Sequence, residues 1–183
     1  AWGFGEKAAM AVLAGMPVVV KPATATALVA YRIAELLVEG NVMPEGTFSF
    51  VAGGAGDMLD HLTSQDVVAF TGSSDTGAMI RGHANVVRNA VRVNVEADSL
   101  NAAVLGPDVE PGSPTWDLWS REVVRDMTQK TGQKCTAIRR VLVPRARIDD
   151  ARAELSEQLA AIRVGNPREQ AVRMGPLATK QQL

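Results

Sequence analysis

The chain has 183 residues, is 46% hydrophobic and 21% charged, and carries a formal net charge of −1 at pH 7. This composition is typical of globular protein and suffices for one to two domains with a sizeable core. Near-neutrality, with no run of lysine or arginine, argues against binding to nucleic acid or to an anionic membrane.

Cysteine content and the chain ends indicate cellular context. Cys135 is the only cysteine, so no intrachain disulfide can form, and we expect a cytoplasmic address. The longest apolar run, 10–20, is broken by Gly15 and Pro17 and is too short to span a bilayer. Because the chain lacks both a signal peptide and an initial Met, we interpret it as a piece of a longer protein.

The first half of the chain alternates apolar runs with helical patterns. A strand at 18–20 is followed by Lys21-Pro22 and by a helical pattern that ends at Gly40, with Thr24 or Thr26 as the N-cap. Further strands are predicted at 48–51, 67–70 and 91–95, and further helices end near Leu62 and Gly82.

This alternation predicts an α/β fold with a Rossmann-like parallel sheet, the expected cofactor domain. Ligands of such sheets bind at the carboxyl ends of the strands. The residues found at these ends are Lys21, Gly53, Gly72 and Glu96.

The sequence pattern changes after residue 98, where a strand is followed by a loop with three prolines, and we place a domain boundary there. We therefore predict part of an NAD(P)-binding domain at 1–98 and part of a second, catalytic α/β domain at 99–183. The second part has predicted strands at 101–105 and 141–143 and a long helix that ends near Gly132. A further amphipathic helix at 148–162 should turn these side chains inward: Ile148, Ala151, Leu155, Leu159 and Ile162.

Cys135 and Glu96 are the candidate catalytic pair. A cysteine thiolate is a strong nucleophile that needs stabilisation or a nearby base. We expect Lys134 and a helix after Cys135 to stabilise the thiolate, and Glu96 to act as the base, directly or through a water. The alternative is an inert buried cysteine, but the small, polar neighbours of Cys135 favour reactivity.

Gly72 to Gly77 forms a turn that could hold a phosphate on backbone N–H groups and the Ser73 hydroxyl. An ordinary helix cap is the alternative. Lys21 could contact a ribose hydroxyl or a phosphate, or simply be a solvated strand end. No metal site is expected, because His61 and His83 lack the spacing of ligands.

Four motifs in this order resemble the aldehyde dehydrogenase superfamily, from about residue 8 to residue 183: Val19-Val20-Lys21-Pro22-Ala23, Phe70-Thr71-Gly72-Ser73, Glu96, and Gly132-Gln133-Lys134-Cys135. The segments 21–27, 56–62, 96–101 and 132–140 resemble more narrowly the branch that oxidises CoA-linked semialdehydes in bacterial phenylacetyl-CoA and benzoyl-CoA catabolism.

The resemblance implies specific roles. Cys135 would attack the aldehyde to give a thiohemiacetal, which loses hydride to become a thioester. Glu96 would activate the water that hydrolyses it, and the Cys135 backbone N–H would stabilise the oxyanion. For the cofactor, the resemblance places Lys21 at the adenosine ribose, Gly53 and Gly56 beside the adenine, and Gly72 and Ser73 at the pyrophosphate.

Thr24 stands where many NAD-dependent members carry a glutamate that binds the ribose 2′-hydroxyl. With no carboxylate there to repel a 2′-phosphate, we expect NADP, with NAD as the alternative. The family's oxyanion asparagine would precede Ala1 and its second cofactor-binding glutamate would follow Leu183. The resemblance therefore implies that this piece is inactive alone and that the full-length protein is a homo-oligomer acting on a small, CoA-linked aldehyde.

Three alternatives remain open at this point. The chain could be a non-catalytic nucleotide-binding fragment, or an aldehyde dehydrogenase for another class of substrate. It could also be an acylating enzyme, in which CoA rather than water releases the thioester. Glu96 argues against the last, since attack by water is the step that needs a base.

Overall fold

The computed structural model describes residues 2–183, and the chain divides into two compact units, Ala1–Asp98 and Ser99–Leu183. The N-terminal unit contains α1 (Trp2–Leu13), β1 (Val18–Val20), α2 (Ala27–Glu39), β2 (Phe48–Phe50), β3 (Val67–Gly72), α3 (Ser74–Gly82), α4 (Ala84–Arg88) and β4 (Arg92–Ala97). The C-terminal unit contains β5 (Asn101–Val104), α5 (Pro114–Thr128), β6 (Ile138–Leu142) and α6 (Ile148–Ala160).

Parallel pairing of the strands in the N-terminal unit is confirmed. β1 pairs with β2, and β3 pairs with β4 over the full register from Val67–Arg92 to Gly72–Ala97. Within residues 2–183 these two pairs are separate two-stranded parallel sheets. Alternating strands and helices imply parallel crossovers but do not specify which strands become neighbours.

Glycines allow α3 to pack against β4. A Cβ on Gly77 would lie 2.6 Å from Cγ1 of Val95, so only glycine permits this approach of helix to strand. A Cβ on Gly72 would clash with the ring of Phe70. Both glycines of the predicted phosphate turn therefore have a packing role.

The sequence interpretation did not assign helix α1. Gly3 and Gly5 lower the helical propensity of its first turn, which obscured it. Its end carries the usual stop signals, Gly15 at a φ of 74° followed by Pro17. Stacking of Phe4 on Phe48, with ring centroids 5.7 Å apart, packs α1 against β2.

Helix α2 ends before Gly40 as predicted, but its start lacks the predicted side-chain cap. Thr24–Thr26 forms a 3-10 turn, and Thr26 stands in the N-cap position of α2 without a side-chain capping hydrogen bond. Thr26 therefore occupies the predicted N-cap position, but its side chain does not make the capping hydrogen bond.

In the C-terminal unit β5 and β6 are parallel and contain a bulge. Asn101 pairs with Ile138, but the next residue, Ala102, pairs with Arg140. β6 also begins at Ile138, earlier than predicted. Because a bulge leaves one residue out of the ladder, it re-aims the backbone beside it.

The core of the C-terminal unit lies between α5, α6 and β6. Leu105, Trp116 and Ala151 form its buried centre, and Val109, Trp119 and Val143 pack around it. Ser113 caps α5, accepting a hydrogen bond from the backbone N–H of Trp116 at 3.3 Å.

The prediction that Ile148 belongs to the inward face of α6 is wrong. Ile148 is 48% exposed, whereas Ala151 is 3% exposed. Ile148 is the first residue of the helix and directly follows the 3-10 turn Arg145–Arg147, so it lies at the edge of the packed face. Across residues 2–183, every helix is too short or too polar to cross a bilayer.

Candidate active site

Cys135 lies in a turn just before β6, and its side chain is exposed. The alternative prediction that Cys135 is buried is therefore wrong. Three consecutive residues upstream are left-handed: Lys130 at a φ of 51°, Thr131 at 58° and Gly132 at 67°. This conformation is unfavourable for non-glycine residues, so surrounding contacts must maintain it.

Two side chains, one just before β5 and one at its first residue, bind the backbone carbonyl of Cys135. The carbonyl oxygen of Cys135 accepts hydrogen bonds from Nδ2 of Asn101, at 2.7 Å, and from the hydroxyl of Ser99. The backbone N–H of Cys135 has no acceptor within residues 2–183. The carbonyl is thus anchored while the N–H stays available.

The prediction that Lys134 and a helix after Cys135 stabilise the thiolate is wrong. Nζ of Lys134 donates to Asp126, at 2.5 Å, and to Gln129, at 2.9 Å, so its charge is already paired on the side of α5. The segment after Cys135 is strand β6, not a helix whose dipole could stabilise an anion. Asp126 also accepts the backbone N–H of Ile138 at 2.8 Å and so fixes both flanks of Cys135.

We expect Asp126→Asn to lower the free energy of unfolding by about 1–2 kcal/mol at pH 7, because the charged hydrogen bond from Lys134 is lost. That bond, followed by the bond from the Ile138 N–H, holds the pKa of Asp126 below its ordinary value. The stabilisation is present above the unfolded-state pKa of about 3.9 and disappears as the pH falls through the lower folded-state pKa. The difference between wild type and variant should therefore shrink below about pH 4.

Urea unfolding of both proteins between pH 7 and pH 3, followed by circular dichroism, measures this difference. Asp150→Asn, on the exposed surface of α6, is the matched control and should show little effect. A deficit in Asp126→Asn that is independent of pH would contradict the argument.

Glu96 lies one residue before the end of β4, and its side chain is 58% exposed. Its Oε1 accepts a hydrogen bond from Nζ of Lys7 at 2.7 Å. Lys7 was missed because it lies on the unassigned helix α1, far from Glu96 in sequence. No local spacing signals such a contact.

Lys21 and Gly53 are brought together at the carboxyl ends of β1 and β2. Nζ of Lys21 donates to the carbonyl oxygens of Pro22, at 2.9 Å, and Gly53, at 3.1 Å. Gly53 and Gly56 have φ values of 96° and 53° and open space on their Cβ side. An ammonium group beside an open glycine turn suits a ribose hydroxyl. Thr24 is exposed nearby in sequence, in the 3-10 turn.

Gly72 and Ser73 lie where β3 meets α3. The Ser73 hydroxyl accepts the N–H of Thr76 at 3.3 Å, and Asp98 accepts the N–H of Ser74 at 3.1 Å. Hydrogen bonds from the Ser74 side chain and backbone lower the pKa of Asp98, which therefore carries its negative charge at this helix end. An incoming pyrophosphate would compete with that carboxylate.

We expect Asp98→Asn to tighten cofactor binding about two- to fivefold, because it removes an exposed negative charge but keeps an acceptor for Ser74. Fluorescence titration of the intact protein with NADP and with NAD measures the two Kd values. Asp117→Asn, in the first turn of α5, makes the same change at another helix and should leave both values unaltered. An unchanged Kd in Asp98→Asn would contradict the prediction that Gly72 and Ser73 contact the pyrophosphate of the cofactor.

Within the described part of the chain, no group of three His, Cys, Asp or Glu side chains is arranged to hold a metal ion.

The model of the aldehyde dehydrogenase family matches residues 3–183. The chain is 57% identical over 183 residues to 3,4-dehydroadipyl-CoA semialdehyde dehydrogenase of Aromatoleum evansii, covering 100% of this chain and 35% of that protein.

Two solved structures have the same fold over most of the chain. Aldehyde dehydrogenase C of Pseudomonas syringae, a mutant complexed with NAD+ and octanal, gives a TM-score of 0.84 at 28% identity, covering 96% of this chain and 35% of that one. An NADP-dependent enzyme of E. coli gives a TM-score of 0.83 at 26% identity, also covering 96% and 35%.

The chain belongs to the aldehyde dehydrogenase family, as the sequence motifs predicted. Its parallel sheets and helices form part of the aldehyde dehydrogenase fold. The chain spans about a third of the length of the relatives it matches, 35% in the case of the Aromatoleum protein.

Proposed function

We propose that the protein containing this chain oxidises a CoA-linked semialdehyde to the acid with a nicotinamide cofactor, and that Cys135 is its nucleophile. The observation that carries this proposal is the 57% identity, over every residue of the chain, to an enzyme named for a CoA-linked semialdehyde. The exposed thiol and anchored carbonyl of Cys135 support it.

In the proposed reaction, the Cys135 thiolate forms a bond to the aldehyde carbon, and the carbonyl oxygen becomes an oxyanion. The free N–H of Cys135 donates a hydrogen bond to that oxygen. A nicotinamide cofactor, when bound, would supply the hydride acceptor, and loss of hydride from the Cys135 adduct would leave an acyl thioester on the sulfur.

Hydrolysis completes the proposed cycle. Glu96 takes a proton from water as the water oxygen bonds to the thioester carbon. The C–S bond then breaks, the acid leaves, and the sulfur returns to the thiolate state. The exposed position of the Glu96 carboxylate near the end of β4 is compatible with this role.

We propose NADP as the preferred cofactor, with NAD as the alternative. Lys21 would hold the adenosine ribose beside Gly53 and Gly56, and Gly72 and Ser73 would meet the pyrophosphate. The support for NADP is the absence of a carboxylate at Thr24, where it would repel a 2′-phosphate. Matching structures include one complexed with NAD+ and one NADP-dependent enzyme, so they do not discriminate.

The intact protein should be assayed with a CoA-linked semialdehyde and with octanal, each with NADP and with NAD. We expect kcat/KM at least about tenfold higher for the CoA-linked substrate, since a bound CoA moiety contributes binding energy that octanal lacks. Equal values for both aldehydes would indicate another substrate class. No turnover with any aldehyde, together with nucleotide binding, would favour the alternative of a non-catalytic module.

A further inference from the structure

We infer that Asn101 is a positioning residue of the dehydrogenase reaction: its side-chain amide holds the backbone of Cys135 in the orientation from which the thiol attacks. This inference depends on the proposed function, because it assumes that Cys135 is the nucleophile. It adds a residue that contacts neither the aldehyde nor the cofactor in the proposed mechanism.

The hydrogen bonds of Asn101 converge on the segment that carries Cys135. Its Nδ2 lies 2.7 Å from the carbonyl oxygen of Cys135 and 3.3 Å from that of Ala137. The third neighbour of this nitrogen is Oγ of Ser99, at 3.2 Å. A single amide thus spans the stretch from the nucleophile to the residue before β6.

The bulge explains why a side chain is needed there. The regular ladder begins at Ile138, and its register shifts at once between Asn101 and Ala102. Backbone carbonyls just upstream of such an irregularity lack ladder partners. The amide of Asn101 satisfies two of them, at Cys135 and Ala137.

Other contacts fix the remaining flanks of the same turn. Asp126 on α5 binds the side chain of Lys134 and the N–H of Ile138, and Arg139 donates to the carbonyl of Gly132 at 2.6 Å. The backbone around Cys135 is therefore anchored on both sides, while the side chain of Cys135 remains exposed. This arrangement restricts the direction of the thiol without covering it.

Direction matters because reaction rates depend on placing the attacking atom to within about 1 Å, and misplacement of that size costs on the order of 100-fold in rate. Without the Asn101 bond, the carbonyls of Cys135 and Ala137 lose this anchor and the turn can shift as a unit, which moves the thiol and the N–H of Cys135 together. Binding of the aldehyde and of the cofactor should change little, because neither contacts Asn101 in the proposed mechanism.

The test uses the intact protein with Asn101→Asp and Asn101→Ala. The first keeps the size of the side chain but replaces the donor with an acceptor, and the second removes both. We expect kcat to fall about 10- to 100-fold, with KM for the aldehyde and Kd for the cofactor within about twofold of wild type. Alkylation of Cys135 by iodoacetamide should persist, because it needs no aligned aldehyde or cofactor.

Asn166→Ala is the matched control, since Asn166 lies in an exposed loop where its Oδ1 accepts only the local N–H of Arg168. It should retain the wild-type kcat. If the Asn101 variants fail to fold, Ser99→Ala removes the other exposed donor to the same carbonyl and should lower kcat about three- to tenfold. An unchanged kcat in that variant would then overturn the inference.

Two results in the Asn101 variants would overturn the inference: an unchanged kcat, or a kcat that falls only in parallel with the melting temperature and with higher KM and Kd. Failure of the proposed function is a distinct result, because it requires normal aldehyde oxidation by Cys135→Ala.

Discussion

Replacing Cys135 with alanine is expected to lower aldehyde oxidation by at least about 10⁴-fold, the scale seen when an enzyme loses its nucleophile. Cys135 is the only cysteine among these 183 residues, so no other thiol within them can substitute. Affinity for NADP or NAD should stay the same, because the proposed cofactor residues belong to other segments. Steady-state assays and cofactor titration of the intact protein provide both measurements.

Thr136→Ala is a suitable control for this variant, because Thr136 is the adjacent exposed residue and keeps the length of the turn. Its turnover should remain within about threefold of wild type, as for most surface substitutions. Normal turnover in Cys135→Ala would refute the proposed mechanism, and loss of cofactor binding would indicate that the substitution acts through the fold.

Replacing Glu96 with glutamine is expected to lower steady-state turnover about 10²- to 10⁴-fold, the range associated with a general base. Hydride transfer should survive, because the base acts only on the later hydrolysis. Rapid mixing should therefore show one burst of reduced cofactor per site followed by a slow phase. The acyl group should be recovered on Cys135 by mass spectrometry of the quenched protein.

Added hydroxylamine should restore turnover in Glu96→Gln, since a strong nucleophile attacks the thioester without a base. Glu45→Gln, on an exposed loop, is the matched control and should behave as wild type. Loss of the burst itself would contradict a role for Glu96 in hydrolysis. A wild-type enzyme that releases acyl-CoA only when CoA is added would instead support the acylating alternative.

Much of the fold could be predicted because its signals are local. The valine triplet 18–20, ended by Lys21-Pro22, identified β1, and the apolar run 48–51 identified β2. Glycines at the ends of helical patterns marked the ends of α2 and α3. The proximity of Lys21 to Gly53 followed from the rule that parallel strands present their carboxyl ends at one edge of the sheet. Family membership followed from motifs that keep their order along the chain.

The parts that could not be predicted depend on contacts between distant residues. Nothing near Lys134 in the sequence shows that its charge is taken by Asp126. The same is true of the pairing of Lys7 with Glu96 and of the placement of Asp98 at the start of α3. The left-handed Lys130 and Thr131 have no sequence signal either, since both residue types disfavour that conformation. The roles of 1–98 and 99–183, and assembly into a homo-oligomer, stay predictions.

The hydrogen bonds that hold the turn of Cys135 and the side chain of Lys21 have a consequence for protein engineering. The turn of Cys135 is anchored by Asn101 and Asp126, in its own unit, and the lysine beside Gly53 is anchored within the other unit. Because the two sets of hydrogen bonds share no residue, we expect substitutions around Thr24 that change selectivity for the dinucleotide to combine additively with substitutions in the turn of Cys135. Directed evolution could therefore select for dinucleotide preference and for reactivity of Cys135 in separate libraries and combine the selected substitutions afterwards.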